Sequence, residues 1–197
     1  MAAEGEVKKA LASAPSDEHA LWGIARLSMV GGHWDEALTQ MNAGLSQNPL
    51  TAYYYQGLDW IQTRRGHLPE GEAAARHPLE ISPTYAAAHY YLGLVLLAPG
   101  QREAALAAMQ RETPEGAQLA GLAIAYYALG RKAESDAALA RMVHEQADLL
   151  AFEIAEAFAF RGDVDEALRW LERAYAQKDS ALSTSRAIHV TEGSCKR

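Results

Sequence analysis

A short acidic run near the end of the sequence is the first feature that suggests chemistry. Asp163, Asp165 and Glu166 stand within four residues, directly after Gly162. Grouped carboxylates can hold metal ions or transfer protons in enzymes. The same run also fits the start of a helix, with Asp163 as the N-cap and Glu166 completing a capping box three residues later. Because the helix dipole favours acidic side chains there, we interpret the run as a helix start.

Other catalytic and metal-binding patterns do not occur in the sequence. It contains no glycine-rich phosphate loop, no H-E-x-x-H pair and no G-x-S-x-G motif. The seven histidines include no pair at metal-ligand spacing on one predicted helix. The single cysteine, Cys195, lacks the electropositive neighbours that activate a thiol. The sequence therefore predicts no catalytic residue, no metal site and no cofactor, and we expect a protein that is not an enzyme.

The composition indicates the general class of the protein. The chain has 197 residues, of which 49% are hydrophobic and 22% charged, as in soluble folded domains. Alanine, the strongest helix former, occurs 40 times. The net charge is -7, and acidic residues outnumber basic ones in both halves of the chain, so no basic face is implied and nucleic acid is not expected as a partner. Because no apolar stretch is long enough for a signal peptide or a membrane span, we expect a cytoplasmic protein without a membrane partner.

Glycines and prolines recur along the chain at almost constant spacing. One series of glycines has intervals of 34, 34, 30 and 32 residues: Gly32, Gly66, Gly100, Gly130 and Gly162. A series of prolines has intervals of 34 residues: Pro15, Pro49 and Pro83. Each glycine is preceded by a large aliphatic residue eight positions earlier and followed by a small residue five positions later. This pattern predicts a repeated helical hairpin in which glycine ends the first helix and the small residue lets the second helix approach closely.

The repeated unit resembles the tetratricopeptide repeat (TPR) family. Its G-x-x-x-E-A pattern is met by residues 32–37 and again by 162–167, and the first half of the motif is best kept in residues 91–94. The resemblance covers residues 1 to about 178. The last third, from Leu122 to Asp179, is also similar to C-terminal TPR regions of bacterial multidomain signalling proteins. The resemblance implies an all-α fold, a right-handed superhelical solenoid of antiparallel helix pairs.

The resemblance also divides the chain. It implies five hairpins at about 18–51, 52–85, 86–115, 116–147 and 148–178. Residues 1–15, with a helix at 5–13, fit a half-repeat or cap, and 179–197 fit a cap segment with a possible helix at 181–190 followed by a tail. Since the chain opens in the middle of a repeat, it would be a fragment of a longer protein or would carry a natural cap.

Three positions depart from the repeat. Asp59 stands where the family has a small residue, so its carboxylate must be paired near the helix interface or reach into a groove. Pro78 lies inside a predicted second helix, which it should kink or shorten. The third unit is four residues short and ends irregularly at 111–116, where we expect weaker packing than at the other boundaries and a division into two blocks.

In the TPR family, partners usually bind a concave surface lined by the first helices of the units. The resemblance therefore assigns partner binding to one set of first-helix residues: Trp22, Arg26, Tyr53, Gln56, Trp60, Arg64, Tyr90, Leu94, Ile124, Tyr127, Phe152 and Glu156. This set is aromatic and apolar, with arginine at one end and glutamate at the other, as in binding hot spots. Burial of several rings against neighbouring helices is the alternative.

Two interpretations of function follow. The first is a protein-interaction scaffold that binds a peptide or helix in the groove. The basic and asparagine residues of the family's carboxylate-clamp subtype are not met on these helices, which disfavours that subtype. The second is self-association, as a homodimer or larger assembly, through the open ends of the repeat array. Groove substitutions would disrupt the first function, and changes at 5–13 or 181–190 would disrupt the second.

Overall fold

The computed structural model describes residues 18–179, and all of their regular structure is helical. These residues form α1 (Glu18–Val30), α2 (Trp34–Gln47), α3 (Ala52–Arg64), α4 (Leu68–Ile81), α5 (Ala88–Leu97), α6 (Arg102–Met109), α7 (Glu115–Ala128), α8 (Lys132–Gln146), α9 (Ala151–Arg161) and α10 (Val164–Gln177). The prediction of an all-α helical-repeat fold is confirmed. The predicted helices at 5–13 and 181–190, and Cys195, lie outside the described residues.

The helices form consecutive pairs that turn at the repeated glycines. All five glycines have a left-handed backbone, with φ between 73° and 82°. At the first turn, the amide of His33 donates to the carbonyl of Ser28 at 2.8 Å and that of Gly32 to Met29 at 3.2 Å. These bonds cap the carbonyls at the end of α1, and only glycine adopts the required φ without strain.

The small residue five positions after each glycine is buried in every pair. The five are Ala37, Gly71, Ala105, Ser135 and Ala167. At Gly71 an added Cβ would lie 2.5 Å from the hydroxyl oxygen of Thr63 and 3.1 Å from the carbonyl oxygen of Asp59. The predicted close approach of the paired helices is therefore confirmed, and a larger side chain would separate them.

The chain divides into two compact units, one ending at Tyr85 and the other beginning at Ala86. In unit 1, α1 to α4 enclose a core of aromatic rings and thioethers. Tyr54 of α3 is fully buried against Gly44 of α2, where a Cβ would lie 2.0 Å from its ring. Met41 packs in the same way against Gly57. Glycines thus let α2 and α3 approach within ring-packing distance.

Unit 2 contains α5 to α10 and a larger, more aliphatic core. Ile124 of α7, Met142 of α8 and Ile154 of α9 are fully buried in it. Met109 of α6 fits between two glycines, and an added Cβ would lie 2.6 Å from its side chain at Gly93 and 2.8 Å at Gly121. Small residues on α5 and α7 therefore make room for the last side chain of α6.

The division at Tyr85 corrects the prediction that the array would divide at 111–116. That connection is held by Glu112, which is 3% exposed. Its carboxylate accepts hydrogen bonds from the backbone amides of Ala87 at 3.1 Å, Tyr90 at 2.9 Å and Thr113 at 3.1 Å. Because these bonds satisfy the amides at the start of α5, Glu112 acts as its N-cap from 22 residues or more away in sequence.

Two further expectations concern a proline inside a helix and a capping box at a helix start. Pro78 does not shorten α4, which extends to Ile81 and closes with the Ser82 amide donating to the Pro78 carbonyl at 2.9 Å. The Pro78 ring is fully buried in unit 1. The capping box at α10 is also not formed, since Asp163 makes no side-chain cap.

The carboxylates of that predicted box have other partners. Asp163 lies 3.4 Å from the Nε of Arg161, and Glu166 lies 3.1 Å from Arg169.

Asp59, the other irregular position, is fully buried in α3, so its side chain does not reach the surface of unit 1.

Candidate interaction surfaces

The first helices of unit 1, α1 and α3, bring together three aromatic rings. Trp22 and Tyr53 meet edge to face, with ring centroids 5.1 Å apart. Tyr54 lies 4.6 Å from Tyr53 and 6.2 Å from Trp22, measured between centroids. Tyr54 is fully buried, whereas Trp22 and Tyr53 are partly exposed. A buried ring therefore supports two rings that remain partly exposed.

Two arginines accompany these rings. Arg26 follows Trp22 by one turn of α1, is partly buried and forms no ion pair within residues 18–179. Burial lowers its pKa from the ordinary arginine value. Arg64 follows Trp60 by one turn of α3, and its guanidinium carbon lies 6.0 Å from the Trp60 ring centroid. The face formed by Trp22, Arg26, Tyr53, Gln56 and Arg64, here called the unit-1 face, is thus aromatic and positively charged.

In unit 2 the corresponding helices carry a buried tyrosine–carboxylate pair. The Tyr90 hydroxyl of α5 donates a 2.5 Å hydrogen bond to Oε2 of Glu156 on α9. Tyr90 is 3% exposed and Glu156 is 8% exposed. Burial, followed by the charge of Glu156, raises the pKa of Tyr90 well above its ordinary value. The bond joins the first helices of the third and fifth repeats, while α7, between them in sequence, contributes the buried Ile124.

A second carboxylate lies one turn earlier on α9. Glu153 is partly buried, and its Oε2 is enclosed without a hydrogen-bond partner among residues 18–179. Burial raises its pKa to about 7, and the neighbouring charges of Asp179 and Glu156 act in the same direction. Glu153 therefore binds a proton at a pH where ordinary glutamates are ionised.

Asp179 enters this site from the end of α10. Lys178 ends that helix in a left-handed conformation, with φ of 54°, and the Asp179 amide returns to the Ala174 carbonyl at 2.9 Å. The Asp179 carboxylate then accepts a 3.1 Å hydrogen bond from the backbone amide of Phe152. It thereby satisfies an unpaired amide at the start of α9 and adds negative charge beside Glu153.

Tyr127 is held by Arg161 at the other end of α9. Its hydroxyl donates to the Arg161 carbonyl at 2.9 Å, and the guanidinium carbon lies 5.6 Å from its ring centroid. Arg161 also forms ion pairs with Asp136 of α8 and Asp163. These contacts fasten α7, α8 and α9 to one another.

The twelve residues predicted to bind a partner separate into two groups by burial. Five are buried: Trp60, Tyr90, Ile124, Phe152 and Glu156. Seven are partly exposed: Trp22, Arg26, Tyr53, Gln56, Arg64, Leu94 and Tyr127. Leu94 packs against the core of unit 2. Most of the partly exposed residues lie in unit 1 and make up the unit-1 face. This face therefore holds most of the predicted binding residues that remain partly exposed.

Sequence reasoning missed Glu112, Glu153 and Asp179. Glu153 lies three residues before Glu156 and therefore on the same helix face, a spacing that the sequence shows. Glu112 and Asp179 carry no such signal, because the helix-start amides that they accept from lie 22 or more residues away.

Within residues 18–179, no three histidine, cysteine, aspartate or glutamate side chains are grouped so as to hold a metal ion. No helix in that range is both long and apolar enough to cross a membrane.

The sequence matches no protein-family model and no curated protein. Its structure, however, is similar to that of TTC0263, a thermophilic TPR protein in Thermus thermophilus. The TM-score is 0.65 at 21% identity, over 86% of this chain and 87% of that one. The chain has the tetratricopeptide repeat fold.

Two other TPR-fold neighbours differ in what their names describe. PilW, a widely conserved type IV pilus biogenesis factor, is similar with a TM-score of 0.60 and 24% identity, over 87% of this chain and 83% of PilW. YrrB, a TPR protein with an unusual peptide-binding site, is similar with a TM-score of 0.53 and 18% identity, over 87% of this chain and 92% of YrrB. At these identities the likeness shows the shared fold.

Proposed function

We propose that this protein is a non-catalytic interaction scaffold that binds a peptide or helix through first-helix residues. The observation that carries the proposal is the unit-1 face, where partly exposed Trp22 and Tyr53 lie on a buried tyrosine and Arg26 has no ion-pair partner within residues 18–179. Rigid rings beside an arginine are the composition of binding hot spots. An apolar segment with an acidic side chain fits this face, because the carboxylate would pair with Arg26. The cytoplasm remains the expected compartment.

Two features support a peptide or helix ligand. The rings supply apolar contact area at a small entropic cost, since each has only two side-chain torsions. YrrB, which shares the fold, is named for a peptide-binding site.

Selection from a random peptide library displayed on phage tests the proposal. Peptides selected on the full chain should bind with an affinity that falls about tenfold or more in Arg26→Glu and in Tyr53→Ala, as for hot-spot residues. Arg102→Glu is the matched control, because Arg102 is an exposed arginine on the second helix α6. Peptides that bind all four proteins equally would contradict the proposal.

Self-association is the second candidate, and a specific surface supports it. The helix α10 exposes an apolar row, with Val164 52%, Leu168 54% and Tyr175 80% exposed. Such a row on a soluble protein is typical of an interface. The native mass should then exceed 21.4 kDa and increase with concentration in light scattering. Leu168→Glu should return it to the monomer value, whereas Glu172→Gln on the same helix should not.

A further inference from the structure

The exposed apolar residues of α10 have the spacing of a surface that packs against another helix. Val164, Leu168, Leu171 and Tyr175 follow one another at intervals of four, three and four residues, so they lie on one side of the helix. Leu171 is partly buried, whereas the other three are more than half exposed. Apolar residues at this spacing form the seam between packed helices. These four residues are here called the α10 row.

The equivalent positions of α2 show how such a row packs when a neighbouring helix covers it. Leu168 and Tyr175 stand six and thirteen residues after the last turn glycine. Leu38 and Leu45 stand at the same distances after the first one. Both leucines are partly buried and pack against the core of unit 1, which includes Tyr54 of the next first helix, α3. The α10 row therefore lacks a covering helix in the described part of the chain.

Two acidic side chains lie along one edge of the α10 row. Asp165 stands three residues before Leu168, and Glu172 stands three residues before Tyr175, so each carboxylate is next to an exposed apolar side chain. Both acids are exposed, and neither forms an ion pair within residues 18–179. The α10 row is thus an apolar strip with unpaired negative charge at its edge.

The unit-1 face has the complementary features. Its rings, Trp22 and Tyr53, are partly exposed and offer apolar contact area. Arg26 beside them is partly buried and has no carboxylate partner within residues 18–179. A carboxylate brought to Arg26 would form a charge-assisted hydrogen bond in place of the hydration that burial has removed.

We propose that the partner of the unit-1 face is the α10 row of a second copy of this chain. The inference rests on the proposed function, because it names the occupant of the same face. In this contact Leu168 packs on the rings of Trp22 and Tyr53, and one of the acids beside the row pairs with Arg26. A helix suits the face, because its backbone groups are already hydrogen-bonded and none is left unsatisfied on burial.

The contact joins two different surfaces, so the end copies keep one free face and one free row. Copies therefore add head to tail, into a ring or an open chain. A contact between two α10 rows would instead stop at a dimer. It would also place the acidic edges of both copies in one interface, where like charges repel. Charge thus favours the unit-1 face as the partner of the row.

Light scattering of the full chain over a concentration series is the first test. The mass should exceed 21.4 kDa and rise with concentration. Arg26→Glu and Leu168→Glu should each lower the apparent association constant about tenfold or more, as for hot-spot residues. Arg102→Glu, a change of an exposed arginine on α6, should not. A mass that stays at 21.4 kDa, or unchanged assembly of Arg26→Glu, would overturn the proposal.

A mixture of two variants separates this contact from other modes of self-association. Tyr53→Ala has a damaged face and an intact row, and Leu168→Glu has the reverse. Each alone should remain near 21.4 kDa, whereas an equimolar mixture should form a one-to-one dimer, because the intact row of one variant binds the intact face of the other. Arg26→Glu in place of Tyr53→Ala should give the same dimer. Mixtures that stay monomeric with both face variants would overturn the proposal.

An exchange of charges tests the pairing with Arg26. The double variant Asp165→Lys and Glu172→Lys should lose self-association, because lysines would then meet Arg26. Addition of Arg26→Glu to the same chain should restore it. Glu172→Gln alone should still assemble, since it retains Asp165. Absence of rescue in the triple variant would overturn the proposal.

The outcome for the second-copy partner is distinguishable from the outcome for the proposed function. Phage-selected peptides that require Arg26, on a chain that stays monomeric, would retain the proposed function and overturn only the second-copy partner. Peptides that bind the unmodified protein and its face variants equally would contradict the face itself, whatever the mass of the chain.

Discussion

The two units use equivalent first-helix positions in opposite ways. In unit 1, the rings of Trp22 and Tyr53 remain partly exposed, and Arg26 has no carboxylate partner within residues 18–179. In unit 2, the aromatic residue Tyr90 is buried, and its hydroxyl is bound to the carboxylate of Glu156. A binding surface needs polar groups that are not yet satisfied, whereas a stable interior needs them satisfied. The comparison supports the proposal that unit 1 carries the recognition surface, whereas the first helices of unit 2 are joined internally by a hydrogen bond.

The largest expected effect compares the two cores. Ile61 in unit 1 and Ile124 in unit 2 are both fully buried. Replacing either by alanine removes apolar contacts and leaves a cavity, which should lower the free energy of unfolding by about 2–5 kcal/mol. Urea unfolding followed by circular dichroism measures each loss. A much smaller loss of unfolding free energy in Ile124→Ala than in Ile61→Ala would mean that unit 2 is packed less tightly than unit 1, although its first helices are joined by a hydrogen bond.

The next prediction concerns the pH dependence of stability. The folded protein raises the pKa of Glu153 from 4.5 to about 7, so it binds this proton more tightly than the unfolded chain does. Proton binding by Glu153 therefore adds to the free energy of unfolding. This addition is fully present below about pH 4.5 and is lost as the pH rises through about 7. At 1.36 kcal/mol per pKa unit, the loss is on the order of 3 kcal/mol.

Glu153→Gln provides the measurement that sharpens this point. Its free energy of unfolding should remain nearly level between about pH 5 and about pH 8, where that of the unmodified protein decreases. Urea unfolding at several pH values gives both curves, with Glu172→Gln as the exposed control. Parallel curves for Glu153→Gln and the unmodified protein would assign the pH dependence to other groups.

A smaller effect is expected from Glu112, whose hydrogen bonds join the 111–116 connection to the start of α5. Glu112→Ala leaves the amides of Ala87, Tyr90 and Thr113 without their acceptor. Loss of a helix cap with buried partners should cost about 1–2 kcal/mol. Hydrogen exchange should show faster exchange at the start of α5, and Glu103→Ala on α6 is the exposed control. Unchanged exchange there would mean that Glu112 does not cap α5.

The smallest effect compares an arginine from each unit. Arg65 pairs with Asp35 at 2.9 Å, but the Asp35 side chain is 89% exposed. Arg65→Gln should therefore change the free energy of unfolding by less than about 1 kcal/mol. Arg161→Gln should cost more, because the Arg161 side chain is only 9% exposed and contacts two carboxylates and the Tyr127 ring. Equal costs in thermal unfolding would contradict the contrast between the two units.

The repeat pattern was sufficient to predict the helical hairpins, because their determinants are local. Each of the five turn glycines has a positive φ, which ends the preceding helix. The small residue five positions later permits close packing of the two helices in each pair. The site residues remain a prediction. First-helix positions follow from the repeat, but five of the twelve chosen side chains are buried.

By itself, the sequence determined the all-α repeat, the turns at the five glycines and the first helices that carry the aromatic residues. Only the tertiary structure decided that the chain divides after Tyr85, that Glu112 caps α5 and that Tyr90 bonds to Glu156. The physical reason is the sequence separation of the interacting residues. Helices and the turns between them depend on neighbours within a few residues. The partners of Glu112 and Tyr90 lie 22 and 66 residues away, and only the packing of the helices brings them together.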